Sequence, residues 1–156
     1  SFDIIKQEII KMKQYIEENK IDTDNMCMAI SRLLSNNLDT KNISNKIINT
    51  KDLFGCYEHE FIIAHYKNNE NIEYILIDLT YSQFDSKGKK LITNKMKMFP
   101  TELLQDSHVL SDLSDNGYSK IDNEDLQKYL YSIHQNPNLI GEISIEDIIY
   151  RGILKK

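Results

Sequence analysis

Three residues of this sequence carry the side chains that thiol catalysis requires, in the order Cys27, His59 and Asp78. A cysteine thiolate can attack an acyl carbon, a histidine can take and return the thiol proton, and a carboxylate can orient that histidine. Whether the three side chains can work together depends on the helix and the strands that carry them.

Cys27 lies at the predicted start of a helix. Apolar residues recur at helical spacing through this segment, at Met26, Ile30, Leu33, Leu34 and Leu38. Residues 23–25, Thr-Asp-Asn, are good N-cap types, so we expect Cys27 at the second or third helical position. Unpaired backbone N–H groups and the positive helix dipole there lower a thiol pKa and can hold an oxyanion. The alternative is a small buried core cysteine.

A β-hairpin is predicted to carry the histidine and the aspartate. Residues 58–66 and 73–80 are rich in β-branched and aromatic side chains, which is typical of strands. The polar segment 67–71 between them contains asparagines, which tolerate positive φ in tight turns. The two strands are therefore expected to pair in antiparallel fashion.

The register of this hairpin decides whether the two side chains meet. A turn centred at 69–70 places His59 opposite Thr80 and Phe61 opposite Asp78. His59 and Asp78 are then diagonal neighbours on one face, within reach of a hydrogen bond. A small shift of the register would place them directly opposite each other.

The other histidines and the second cysteine are weaker candidates. His65 would pair near Tyr74, roughly 13 Å along the strand from Asp78, too far for one hydrogen bond. The remaining histidines, His108 and His134, lie outside the hairpin. Cys56 follows a glycine in a predicted loop and lacks a helix start, so we interpret it as a residue at the entry to a strand.

The ordered set of Cys27 at a helix start, His59 opening a strand and Asp78 ending the next strand resembles the transglutaminase-like branch of the papain-like cysteine hydrolases. Segment 77–84, Ile-Asp-Leu-Thr-Tyr-Ser-Gln-Phe, is similar to the Asp-Pro-Thr region of these enzymes. Its Asp-x-Thr-x-x-Gln-Phe form resembles bacterial papain-like toxin and effector domains. The likeness spans residues 23–84.

Three positions depart from the family pattern. Leu79 stands where Pro is common after the acid, Met28 where an aromatic residue often follows the nucleophile, and Ile21 where papain has its oxyanion Gln. The oxyanion would then depend on the backbone N–H of Cys27, with Gln83 or Asn25 as supporting residues. Gln83 is equally suited to fixing the loop after the acid.

The resemblance implies an α+β fold with a papain/transglutaminase-like core, in which the nucleophile-bearing helix packs on a small antiparallel sheet. It also implies a thiol protease-like hydrolase that acts on protein or peptide amide bonds through a Cys-His-Asp triad and an acyl-enzyme. Two alternatives stay open. One is a glutamine deamidase or transglutaminase acting on a protein side chain, and the other is a noncatalytic protein-binding domain that retains the fold.

Composition limits the remaining possibilities. The 156 residues suit a single domain over 1–156, and the net charge of −5 disfavours nucleic acid as a main partner, leaving a protein or peptide substrate. No four-ligand metal set and no glycine-rich phosphate loop occurs in the sequence, so we expect neither a metal nor a cofactor. The oligomeric state is not indicated.

Location is also bounded by the sequence. We find no run of about 18 apolar residues and no secretory signal. We therefore expect no membrane span, and either a cytoplasmic location or delivery into a host or target cell as an effector.

The other segments are predicted to be scaffold. An amphipathic pattern predicts a helix over 2–18, packed on the core because its polar face mixes both charges. Helix caps are expected at 122–125 and 144–147, and a loop at Gly117 and Tyr118. Residues 42–49 are expected to form a short helix or an irregular linker.

Overall fold

The computed structural model describes residues 1–22, 26–54, 58–81, 107–133 and 143–154. The first half contains α1 (Phe2–Glu18), α2 (Cys27–Thr40), β1 (Ser44–Asn49), α3 (Thr50–Phe54), β2 (Glu60–Asn68) and β3 (Asn71–Ile77). The second half contains α4 (His108–Asn116), β4 (Tyr118–Ile121), α5 (Asn123–Ile133) and α6 (Ile145–Leu154). The fold is therefore of the mixed α+β class, as predicted.

The four described strands form one antiparallel sheet in the order β1-β2-β3-β4. The β2–β3 hairpin turns at Asn69, whose φ of +60° is a conformation that asparagine tolerates. Its register pairs Ile62 with Ile77 and His65 with Tyr74, which is the predicted register. The strands themselves extend closer to the turn than expected, and they stop short of His59 and Asp78.

Helices cover both faces of the sheet. Side chains that alternate along β2 and β3, such as Ile62 and Ile75, pack with α1 and α2 on one face. Their neighbours, such as Phe61 and Leu76, pack with α4, α5 and α6 on the other face. Burial on both faces explains why the central strands are almost continuously apolar in sequence. The prediction that the helix beginning near Cys27 packs on a small antiparallel sheet is confirmed.

Two scaffold predictions are wrong. Residues 44–49 form strand β1, where a short helix or linker was expected, because pairing with β2 outweighs the weak strand pattern of Ser-Asn-Lys-Ile-Ile-Asn. Tyr118, predicted to lie in a loop with Gly117, instead begins strand β4. Gly117 itself leaves the helical conformation as expected, with φ +83° at the C-terminus of α4. The helices predicted after Asp122 and Ser144 are present as α5 and α6.

None of the described helices combines the length and the apolar character that crossing a bilayer requires.

Candidate active site

Cys27 is the first residue of α2. The preceding Met26 has φ −105° and ψ 10° and provides no side-chain cap, and the first helical hydrogen bond runs from Ile30 N to Met26 O at 3.0 Å. The backbone N–H groups of residues 27–29 precede that bond, so they have no acceptor within the helix. Cys27 therefore lies one or two positions earlier in the helix than predicted, where the positive end of the helix dipole still favours a thiolate.

His59 lies one residue before β2, and its backbone continues the pairing of β1 with β2. The amide of Thr50 donates to the carbonyl of His59 at 2.9 Å, and the amide of His59 donates to Oγ1 of Thr50 at 2.9 Å. The His59 side chain is only 1% exposed. These two bonds fix the backbone from which the imidazole projects.

Asp78 lies one residue after β3, and both its backbone and its carboxylate are held. Its backbone amide donates to the carbonyl of Gly117 at 2.8 Å. Its Oδ1 accepts from the backbone N and the hydroxyl of Thr80, at 3.2 and 3.1 Å. Its Oδ2 accepts from His59 Nε2 at 2.7 Å and from the hydroxyl of Tyr129 at 2.6 Å. These donors to both oxygens satisfy a buried carboxylate and fix its orientation.

The Asp-x-Thr part of the sequence motif thus has a local physical role. Thr80 donates twice to the oxygen of Asp78 that does not face His59. Short-range bonds in which an aspartate accepts from the second residue after it are typical of Asx turns. They leave Oδ2 directed at the imidazole.

Cys27 completes a chain of hydrogen bonds from thiol to carboxylate. Its side chain is hydrogen-bonded to the imidazole of His59, and its sulfur also receives the backbone N–H of Glu60. Because Nε2 of His59 is engaged by Asp78, the contact with Cys27 uses the other ring nitrogen, Nδ1. Ser31 strengthens this junction, since its hydroxyl donates to the carbonyl of Glu60 at 3.4 Å and so ties α2 to β2.

The charges of the site favour a thiolate–imidazolium pair. Burial by itself lowers the pKa of His59, but the charge and hydrogen bond of Asp78, followed by Cys27, raise it to about 9. Burial by itself raises the pKa of the Cys27 thiol. The hydrogen bonds from His59 and from the Glu60 backbone, and the charge of His59, outweigh this and bring the thiol pKa below its usual value. Near neutral pH the proton therefore favours His59 over Cys27.

Tyr129 is the site residue that sequence reasoning missed. It lies on α5, is fully buried, and packs edge-to-face against Phe61 with ring centroids 4.9 Å apart. Its helical spacing with Leu126, Leu130 and Ile133 is typical of a core residue, and it is one. The feature that could have indicated a role in the site is its hydroxyl, because a buried tyrosine usually needs a hydrogen-bond partner. Here the acceptor is Asp78.

The rival histidines lie away from this chain of bonds. His65 is half-buried beside Tyr74, with ring centroids 6.0 Å apart, as its predicted place in the strand required. Burial and the charge of Lys46 lower its pKa. His108 is exposed on α4, and its Nε2 lies 3.7 Å from Asp125. Neither contacts Cys27 among the interactions described.

Several candidate residues lie outside the described residues. These are the supporting candidates Asn25 and Gln83, the rival cysteine Cys56, and His134. Within the ranges that the structure describes, no three His, Cys, Asp or Glu side chains are grouped so as to hold a metal ion.

Comparison with known proteins does not assign a family. No protein-family model matches the sequence, and neither the curated proteins nor the solved structures include a match to it. The functional argument therefore depends on the chemistry of the site.

Proposed function

We propose that this protein is a cysteine hydrolase of the transglutaminase-like branch of the papain-like enzymes, acting on protein or peptide amide bonds. The observation that carries the proposal is the continuous chain of hydrogen bonds from Cys27 through His59 to Asp78. It joins a thiol at a helix start, a histidine before one strand and a carboxylate after the next, in the order that thiol hydrolysis needs.

The first half of the reaction is acylation. The Cys27 thiolate attacks the amide carbon, a C–S bond forms, and the carbonyl π electrons move to the oxygen. The backbone N–H groups at the start of α2 have no acceptor within the helix, so they are suited to stabilise that oxyanion. His59 then donates its proton to the amide nitrogen, the C–N bond breaks, and an amine leaves behind a thioester.

The second half releases the product. His59, now neutral, takes a proton from water, whose oxygen attacks the thioester carbon. The C–S bond breaks, an acid departs, and Cys27 returns to the thiolate while His59 is again protonated. Asp78 keeps its negative charge throughout and stabilises the imidazolium at both stages.

The same machinery suits two related reactions. If the leaving group is the ammonia of a glutamine side chain, hydrolysis is deamidation, and if an amine replaces water, the result is transglutamination. The alternative that is not an enzyme, a noncatalytic binding domain, is disfavoured. Binding alone does not require a thiol of lowered pKa paired to a buried histidine. Delivery as an effector, suggested by the motif, belongs to the same proposal.

A peptide library tests the proposal on many candidate substrates at once. The protein is incubated with a tryptic digest of a proteome, and mass spectrometry scores new peptide termini, glutamine converted to glutamate, and glutamine joined to amines. The control is Cys27→Ala, which removes the sulfur and leaves the scaffold. We expect one of the three products with the parent protein and none with the variant. Equal product formation by both proteins would refute the thiol mechanism.

A further inference from the structure

Tyr129 contacts the site at a point that the thiol mechanism does not by itself require. Its hydroxyl donates to Oδ2 of Asp78 at 2.6 Å, and the same oxygen accepts from Nε2 of His59 at 2.7 Å. Two donors therefore share one carboxylate oxygen. The phenol reaches it from α5, on the opposite side of the sheet from the α2 helix that carries Cys27.

We propose that Tyr129 is a positioning residue of the Cys27 site, whose hydroxyl orients the Asp78 carboxylate and shares its negative charge with His59. This inference rests on the proposed function. It adds a fourth residue to the site, one that acts through Asp78 and touches neither the thiol nor the substrate.

The argument starts from the environment of the carboxylate. Asp78 is 3% exposed, so its charge is not screened by water, and only its donors compensate it. The titratable groups that interact with it are His59 before β2, Cys27 on α2 and Tyr129 itself, while Tyr81 interacts with Tyr129. Of these, the described hydrogen bonds to its oxygens come from His59 and Tyr129.

Loss of the hydroxyl has a defined consequence for the thiol. The charge of Asp78 opposes ionisation of Cys27, and a donor on Oδ2 reduces that opposition. Without the donor, either the carboxylate repels the thiolate more strongly or it rotates and releases His59. Both changes make the Cys27 thiolate harder to form, so both move its ionisation to higher pH.

Tyr81 provides a matched control in the same cluster. It is a second buried tyrosine, its ring centroid lies 5.9 Å from that of Tyr129, and its hydroxyl donates to Oγ of Ser132 at 2.9 Å. Tyr81→Phe and Tyr129→Phe therefore each remove one buried hydroxyl and leave an aromatic ring in place. Of the two described hydroxyl bonds, the one lost in Tyr129→Phe is the one that ends on the Asp78 carboxylate.

The experiment measures the pH dependence of Cys27 alkylation by iodoacetamide, in which the thiolate sulfur forms a C–S bond as the C–I bond breaks and iodide leaves. Peptide mass spectrometry follows the rate at Cys27 in the parent protein and in the two variants. We expect the midpoint for Tyr129→Phe to rise by about half to one pH unit, which is less than the full free energy of a hydrogen bond to a charged group because the effect reaches the thiol only through Asp78. We expect the midpoint for Tyr81→Phe to stay at the parent value.

The outcomes separate this inference from the proposed function. A parent protein whose Cys27 titrates like an ordinary thiol would refute the proposed function and this inference with it. A low parent midpoint that is unchanged in Tyr129→Phe would refute the inference alone. Equal shifts in both variants, or a Tyr129→Phe that does not fold while Tyr81→Phe does, would assign the hydroxyl a purely structural role and also overturn it.

A measurement on the unmodified protein covers the case in which neither variant folds. The hydroxyl proton of Tyr129, bonded to a carboxylate and shielded from water, should give a downfield NMR resonance. We expect that resonance to shift with the same pH midpoint as Cys27 alkylation, because Asp78 links the two groups. A resonance that does not respond to this titration would overturn the inference.

Discussion

The imidazole Nε2 of His59 donates to Oδ2 of Asp78 at 2.7 Å, although neither residue belongs to the strand ladder that brings them together. The ladder ends at the pair Ile62 and Ile77, and the two site residues lie just beyond it. The sheet therefore fixes their backbones through neighbouring bonds, just beyond its last pair. This arrangement lets the two side chains meet diagonally at the end of the sheet, beside the start of α2.

The first prediction concerns the pH dependence of turnover. The proton on His59 is needed for the leaving amine, and the pKa of His59 is raised to about 9. Activity should therefore fall as the pH rises through about 9, while the acid limb should lie below the usual thiol pKa because that of Cys27 is lowered. Initial rates on a peptide identified by the library, measured across pH, check both limbs. An alkaline limb near 6.5, the ordinary value for histidine, would contradict the ion-pair assignment.

The second prediction concerns Asp78→Asn. An asparagine retains the size of the side chain and an oxygen that Thr80 can contact, so the fold should persist. The imidazole loses its charged partner and can adopt the wrong tautomer, so turnover should fall by on the order of 10⁴. Circular dichroism checks the fold, and kinetics check the rate. If Asp78→Asn unfolds, Asp78 is structural and the chemistry belongs to a Cys–His dyad.

Which parts of the site could be predicted from the sequence depends on how far apart along the chain the interacting residues lie. The hairpin register was predictable because a tight turn at Asn69 sets every pair that follows it, and Cys27 was predictable from the local helix-start pattern. The contact of Tyr129 with Asp78 was not, because it joins residues 51 positions apart through the packing of α5 on the sheet.

The same limit explains the errors in the fold. Strand β1 has the exposed and half-buried pattern of an edge strand, and its pairing with β2 is a tertiary contact that the local sequence does not encode. Helices α5 and α6 were predictable because their caps are local: Asp125 N donates to Asp122 Oδ1, and Asp147 N donates to Ser144 Oγ.

The third prediction concerns Gly117→Ala. Gly117 has φ +83°, and a Cβ there would lie 2.7 Å from Cδ2 of Leu79, the residue after Asp78. The variant should lose about 1–2 kcal/mol of unfolding free energy from the left-handed backbone alone, and more if Leu79 cannot move. Because the Gly117 carbonyl accepts from the Asp78 amide, alkylation of Cys27 should also slow.

Asn69→Ala is the matched control for this variant. Asn69 also has positive φ, +60°, but it lies in the hairpin turn at the other end of the strands from the site. The Asn69→Ala substitution should lower the unfolding free energy measured by urea, without changing the rate of Cys27 alkylation. If the two variants slow alkylation equally, the effect of Gly117→Ala reflects general loss of stability and is not transmitted through Asp78.

The last prediction concerns stability and pH in Cys27→Ala, in which His59 and Asp78 remain paired. A histidine whose pKa is higher in the folded state stabilises the protein below its unfolded pKa, and this stabilisation is lost as the pH rises through the folded value. The folded pKa of His59 in the parent protein is about 9 against an ordinary 6.5, so the loss should begin near neutral pH. In the parent, ionisation of Cys27 partly offsets it, because a lowered thiol pKa adds stability as the pH rises. Cys27→Ala removes that offset.

Urea unfolding of Cys27→Ala between neutral and alkaline pH should therefore show a decrease of on the order of 1–3 kcal/mol in unfolding free energy, since each pKa unit corresponds to about 1.4 kcal/mol. The control is the double variant Cys27→Ala with Asp78→Asn, whose His59 has no carboxylate to hold its proton and whose stability should be nearly flat over this range. If the unfolding free energies of the two proteins changed similarly with pH, the 2.7 Å bond between His59 and Asp78 would not set the protonation of the histidine. The thiolate–imidazolium pair of Cys27 and His59 in the proposed mechanism would then lose its support.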